Sequence, residues 1–189
     1  MNLRRVVLLA AALAALAATT GCAVKANNYQ PSISNVGLLN KSGTAKVAAG
    51  DFTVQAGATG GTSITLRTSS MTPPETADYA AYVANALKSE LELAKRLDPK
   101  ASIQITGTLL KNDIAAGGIS RNSGEIEARF VVRRDGAVTF DKTKRATDEW
   151  ESSFAAAIAI PKAQQQYPSL VQKLLEALYS DADFQAALR

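Results

Sequence analysis

The chain has 189 residues, with 21 Lys and Arg against 17 Asp and Glu, one cysteine, one tryptophan and no histidine. That is the length of one domain, and 47% hydrophobic with 20% charged residues is ordinary globular usage that argues against bulk disorder. One cysteine excludes an intramolecular disulfide framework, and the absence of histidine excludes the common zinc sites, Ser-His-Asp triads and Cys-His dyads.

Residues 1–21 contain no acid, carry Arg4 and Arg5, and continue into an uninterrupted apolar run from Val6 to Ala18. Thirteen residues are too few for a bilayer core of ~30 Å, which needs about twenty. Length and flanks match a secretory signal peptide. A buried N-terminal helix fits poorly, because the Ala/Leu run has no polar face. The run ends in Thr19-Thr20-Gly21-Cys22, which resembles the lipobox of bacterial lipoproteins. The resemblance implies cleavage before Cys22 and acylation of that cysteine, which becomes the new N-terminus. Ala23 follows rather than Asp, which by the same resemblance implies sorting to the outer membrane with the body in the periplasm. Thr19 departs from the pattern, where Leu or Val is usual. Ordinary cleavage after Ala17 or Ala18 is the alternative, and the position of the lone cysteine favours the lipobox.

Loss of residues 1–21 removes Arg4 and Arg5 and leaves 168 residues with 19 basic and 17 acidic side chains. So small an excess is no sign of nucleic-acid binding. Residues 22–32 read as the lipidated terminus and a short polar tether, of which Val24 to Ser32, with Asn27, Asn28 and Pro31, reaches about 30 Å when extended. Residues 33–189 read as a single periplasmic domain.

Strands are expected at Ile33 to Leu39, Asp51 to Gln55 and Ser63 to Arg67, with turn residues at 40–43 and 57–62. Thr72-Pro73-Pro74-Glu75 reads as a capping box opening a long helix. Tyr79, Tyr82, Val83, Ala86, Leu87, Leu91, Leu93, Ala94 and Leu97 fall on one arc at 100° per residue, and Asp98-Pro99 stops it. Ala101 to Lys111 alternates as a strand, and Asn112 to Gly124 reads as a loop. Glu125 to Arg133 and Ala137 to Phe154 form a hairpin. A three-residue Arg134-Asp135-Gly136 loop would place Phe130 opposite Phe140 and Val132 opposite Val138. It would also pair Arg129 with Asp141 and Glu125 with Arg145 across the other face. Pro161 discourages a helix over residues 155–166. Pro168 begins one carrying Leu170, Val171, Leu174, Leu175 and Leu178, and Ser180 or Asp181 caps a terminal turn. The expected fold is α+β, an antiparallel sheet with two main helices packed on one face.

Recognisable chemistry is sparse. The sequence holds no S-x-x-K, G-x-S-x-G, G-x-x-x-x-G-K or G-x-G-x-x-G, and no metal or cofactor site is expected. Asp181 and Asp183 lack the Gly and distal Glu of a calcium loop and read as helix caps. Glu149 and Glu151 share a strand face, explained most cheaply by solvent. Glu90 falls inside the apolar arc of the long helix, either reaching out at the packing edge or buried against an arginine. Trp150 reads as a core aromatic sharing its face with Phe154. The 112–124 loop presents Ile119 beside Arg121, a candidate binding loop for an anionic amphiphile or a partner protein.

A cysteine in a lipobox followed closely by this order of elements resembles small Gram-negative envelope lipoproteins. These include the lipopolysaccharide-assembly lipoprotein and the auxiliary lipoproteins of lipid-transport ABC systems. The resemblance implies a non-enzymatic binding or assembly accessory, with a membrane partner through Cys22 and an envelope protein or lipid partner besides. The alternatives are a periplasmic hydrolase relying on carboxylates and a structural lipoprotein associated with peptidoglycan.

Overall fold

The computed structural model describes residues 23–189. In chain order these form β1 (Ala23–Lys25), α1 (Ile33–Lys41), β2 (Val47–Thr59), β3 (Ile64–Leu66), β4 (Ser69–Thr72), α2 (Tyr79–Leu93), β5 (Ile103–Ala115), β6 (Arg121–Arg134), β7 (Ala137–Glu151), α3 (Ala156–Tyr179) and α4 (Ala182–Ala187). The fold is α+β. The main sheet has the order β2-β5-β6-β7, with α2 packed on β2 and β5 and α3 on β6 and β7.

The sheet is mixed rather than antiparallel. β5, β6 and β7 form an antiparallel meander, but β2 pairs with β5 in parallel. Parallel neighbours need a crossover of a dozen or more residues, and the stretch between Thr59 and Ile103, with α2 in it, supplies one. A second sheet has the order β1-β4-β3, with β1 parallel to β4 and β3 antiparallel to it.

Alternation decides the faces. Ile103, Ile105, Leu109, Ile126, Ala128, Phe130, Val132, Phe140, Ala146 and Trp150 are buried under Tyr79, Tyr82, Val83, Leu87, Leu91, Tyr167, Leu170, Val171, Leu174 and Leu178. Each large apolar side chain contributes about 1.5–3 kcal/mol on leaving water, so this layer holds the domain together. Gly107 lets Phe52 lie across the sheet and meet Phe130 edge-on, with ring centroids 6.2 Å apart. The opposite face is charged and solvated, with Lys111–Glu125 at 2.9 Å and Arg145–Glu125 at 2.8 Å.

Several local expectations fail for identifiable reasons. Ile33 to Leu39 is helical, because Ser32 caps the backbone N–H of Asn35 and the buried positions 35, 36 and 39 follow a helical spacing. α2 begins at Tyr79, not after Thr72. Thr72 is taken up pairing with Lys25, and Asp78 is the N-cap, accepting from the Ala81 N–H at 2.8 Å. α2 also ends early, in a Schellman turn. Lys95 adopts φ +57°, its N–H reaches the Glu92 carbonyl, and the Arg96 N–H reaches that of Leu91.

α3 runs unbroken through Pro161 and Pro168. Pro168 has no N–H to offer the Gln164 carbonyl, and the Asn27 N–H takes that carbonyl instead, at 3.3 Å. The 24–32 stretch is therefore packed rather than free: β1 lies in a sheet, Ala26 is buried and Gln172 donates to the Gln30 carbonyl.

The β6–β7 hairpin turns on two residues, Asp135 (φ +51°) and Gly136 (φ +85°), the φ signs of a type I′ turn. Thr139 is then an extra residue, so Val132 faces Phe140 while Phe130 faces Lys142. The bulge turns Val138 to the solvated face, where it is 54% exposed. Arg129–Asp141 and Arg145–Glu125 do pair, as diagonals rather than direct opposites.

Candidate functional site

The expected 112–124 loop shrinks to a five-residue turn, 116–120, because β5 and β6 extend to Ala115 and Arg121. Buried Asn122 fixes this turn. Its Oδ1 accepts the Gly118 N–H at 3.2 Å, and its Nδ2 donates to the Ser152 hydroxyl at 2.8 Å. The Ser152 N–H in turn donates to the Ser120 carbonyl at 2.8 Å.

Arg67 ties three segments together at this end. It holds the left-handed φ of +58° in the β3–β4 turn, a conformation costing about 1–2 kcal/mol without glycine. Its Nε donates to the Ala116 carbonyl at 2.8 Å, and Nη2 to those of Gly118 at 3.2 Å and Ser153 at 2.8 Å. Nη1 reaches the Phe154 carbonyl, and the guanidinium carbon lies 5.7 Å from the centre of the Phe154 ring. These partners are neutral carbonyls, so they hold the cation without cancelling its charge.

Three apolar side chains stand out from this clamped end: Ile119 at 76% exposure, Phe154 at 74% and Ile158 at 58%. Arg121 lines a shallow depression of about 500 Å³ with Gly117, Gly118, Asn122 and Glu149. Its 3.6 Å contact with Glu149 is exposed on both sides and so contributes little. Ile119 and Arg121 are thus brought to one end, though Ile119 is outside the depression. Sequence reasoning missed Arg67 and Ile158 and placed Phe154 in the core. Trp150 is buried as expected, packed on Gly124. Glu149 and Glu151 are exposed, and Asp181 caps α4 while pairing with Lys142 and Lys144.

Glu90 is fully buried, and its partners are not arginines. Oε1 accepts from the Tyr29 hydroxyl at 2.5 Å, the Ser32 N–H at 2.9 Å and Asn35 Nδ2 at 3.2 Å. Burial raises its pKa above 4.5, outweighing these donors, which favour the anion. Burial first, and the neighbouring carboxylate second, push the Tyr29 hydroxyl up as well. Asn35 Nδ2 also reaches the Gln172 carbonyl at 3.0 Å, so one acid joins the N-terminal segment, α1, α2 and α3.

Arg96 does the same work at the opposite end. Buried to 2% exposure, it donates to the carbonyls of Ala45 (2.8 Å), Leu39 (2.6 Å) and Leu188 (3.1 Å) and to the Ser42 hydroxyl (2.6 Å). Leu39 and Leu188 close α1 and α4, where helix dipoles favour a cation.

Cys22 lies outside the described residues, immediately before Ala23. Among the described residues, no three Asp, Glu, Cys or His side chains converge as a metal site, and no helix is long and apolar enough to cross a membrane.

These features define an α+β domain with helices on one face of a mixed sheet and a solvated face opposite. No family model and no curated protein matches the sequence. The fold is similar to that of protein XCC0632 from Xanthomonas campestris, described under the family model DUF330. The TM-score is 0.55 at 8% identity, over 87% of this chain and 96% of that one. The hypothetical protein CT253 from Chlamydia trachomatis is similar over 77% of this chain and 99% of its own, with a TM-score of 0.46 and 10% identity. The similarity to XCC0632 is one of fold.

Proposed function

We propose that this chain is a lipoprotein of the bacterial outer membrane, exported by residues 1–21 and acylated at Cys22. Its periplasmic domain serves as a non-enzymatic binding or assembly accessory of the envelope, in lipid or lipopolysaccharide handling. The observation that carries this reading is the strand pairing next to Cys22. Ala23, the residue after Cys22, is already paired with Ser70. A lipid carried on Cys22 would therefore be tied one residue from the second sheet.

The accessory role is supported by the state of the acids. Glu90 is sealed in packing by three donors, while Glu149 and Glu151 face solvent. Neither arrangement offers two carboxylates across a substrate cleft.

The test is Cys22→Ala in cells. The body is expected in the soluble periplasmic fraction, or as uncleaved precursor. Normal maturation with unchanged membrane attachment would contradict acylation.

A further inference from the structure

Three of the six strongly exposed large hydrophobic side chains among the described residues (Ile119, Phe154 and Ile158) stand at one end of the domain. The chain emerges from the described fold at that same end, and two independent measures say so. In the second sheet Ala23 pairs with Ser70, three residues past Arg67, or about 10 Å of strand. Arg67 is the residue bound to the carbonyls of Ala116, Gly118, Ser153 and Phe154.

Along α3, the Lys25 carbonyl accepts from Gln164 and the Gln30 carbonyl from Gln172. The N-terminal segment therefore runs in the same direction as the helix. Ala23 lies two residues upstream of Lys25, about 7 Å. Ile158 lies six residues upstream of Gln164, about 9 Å. The two stand at one level. One peptide bond joins Cys22 to Ala23, and consecutive Cα atoms lie no more than about 3.8 Å apart.

We propose that the end bearing Ile119, Phe154 and Ile158 is a membrane-docking face, whose occupant is the surface of the bilayer that holds the acyl chains of Cys22. This rests on the lipoprotein reading above and deepens it. With β1 starting at Ala23 there is no slack to hold the domain away from the headgroups. The apolar tips then enter the interfacial layer, where amphipathic surfaces settle about 5–10 Å deep. Charge at this end is mixed, with Arg67, Arg121 and Lys162 against Glu149 and Glu151. Insertion of the apolar tips therefore sets the orientation, and no particular anionic headgroup is needed. The turn 116–120 is clamped by Arg67 and Asn122, so the face is formed before it meets lipid. The charged outer face of the main sheet remains open to the periplasm for a partner.

The test uses the full acylated protein with one added cysteine at a time: Ile119→Cys, Phe154→Cys, Ile158→Cys and, as control, Val138→Cys on the β6–β7 hairpin at the far end. Acylation blocks Cys22, so a nitroxide label goes to the new site alone. The probe is a vesicle of phosphatidylethanolamine and phosphatidylglycerol. On reconstitution, labels at 119, 154 and 158 should gain collisions with oxygen and lose them with a water-soluble nickel chelate, severalfold relative to 138. Equal water exposure at all four sites overturns the docking face. Protection of the three sites from oxygen and from the chelate alike also overturns it, pointing to a protein contact instead. Intact mass of the same preparation separates the two readings. A bare thiol at Cys22 overturns both, whereas an acylated protein with wet labels overturns only the docking face.

Discussion

Replacing Arg96 by Met should destabilise the domain by about 3 kcal/mol, and the figure follows from what the guanidinium leaves behind. Of its four acceptors, the Leu39 carbonyl retains the Ser42 hydroxyl at 2.7 Å and the Ser42 N–H at 3.2 Å. The Ala45 and Leu188 carbonyls lose the Arg96 donors that hold them. A buried group left unsatisfied costs about 1–3 kcal/mol, so the two cost roughly 2–6 kcal/mol. Met fills the volume of the arginine stem and removes a buried charge, whose desolvation already lowers the guanidinium pKa, and this offsets part of the loss. For a domain of this size about 3 kcal/mol corresponds to a fall in Tm of roughly 6–12 °C. Urea denaturation should show a lower midpoint with an unchanged slope. Arg96→Lys, which keeps the charge but reaches fewer acceptors, should fall between the two. A variant melting within about 2 °C of the parent would refute the reasoning that these carbonyls depend on one side chain.

Glu90 and Arg67 give two further tests. Because burial raises the Glu90 pKa above 4.5, the folded state holds its proton to higher pH than the unfolded chain does. Stability from this group is full below about pH 4.5 and falls as pH rises toward the folded value. Across that window Glu90→Gln should gain on the parent by about 1.4 kcal/mol per pH unit. Chemical denaturation at pH 4 and at pH 8 measures this, and a difference constant with pH would count against a raised carboxyl. Arg67→Met removes the donors from Ala116, Gly118 and Ser153. Amide exchange at residues 117–120 should quicken about tenfold, the equivalent of ~1.4 kcal/mol, while β6 and β7 at their centres stay protected. Unchanged exchange in the turn would mean that Asn122 alone holds it.

The apolar arc of α2, the alternation of β5 and β6, and the cap at Asp181 could all be read from the sequence, because each is a local pattern. Three kinds of feature could not. The first is polar residues in core positions. Asn112, Asn122 and Gly124 face inward near the ends of β5 and β6, and their composition reads as a loop although their spacing is that of a strand. The second is backbone geometry without its usual residue. Lys95 and Arg67 take left-handed conformations with no glycine to announce them. The inward turn of Arg96 and the clamp on the 116–120 turn were therefore invisible. The third is compensation from distant chain. Pro168 breaks a helical hydrogen bond, and Asn27 takes up the freed carbonyl from 137 residues away in sequence. The candidate pair Ile119 and Arg121 was legible as an exposed tip, but its companions Phe154 and Ile158 reach it only through the hydrogen bonds of Ser152 and Arg67.

The account turns on the chemistry of one sulfur, and the mass of the intact protein taken from the outer-membrane fraction tests it most directly. It predicts a polypeptide of 168 residues beginning at Cys22, heavier than its sequence by attached acyl groups. A chain that starts at another residue, or one that carries Cys22 as an unmodified thiol, would contradict it.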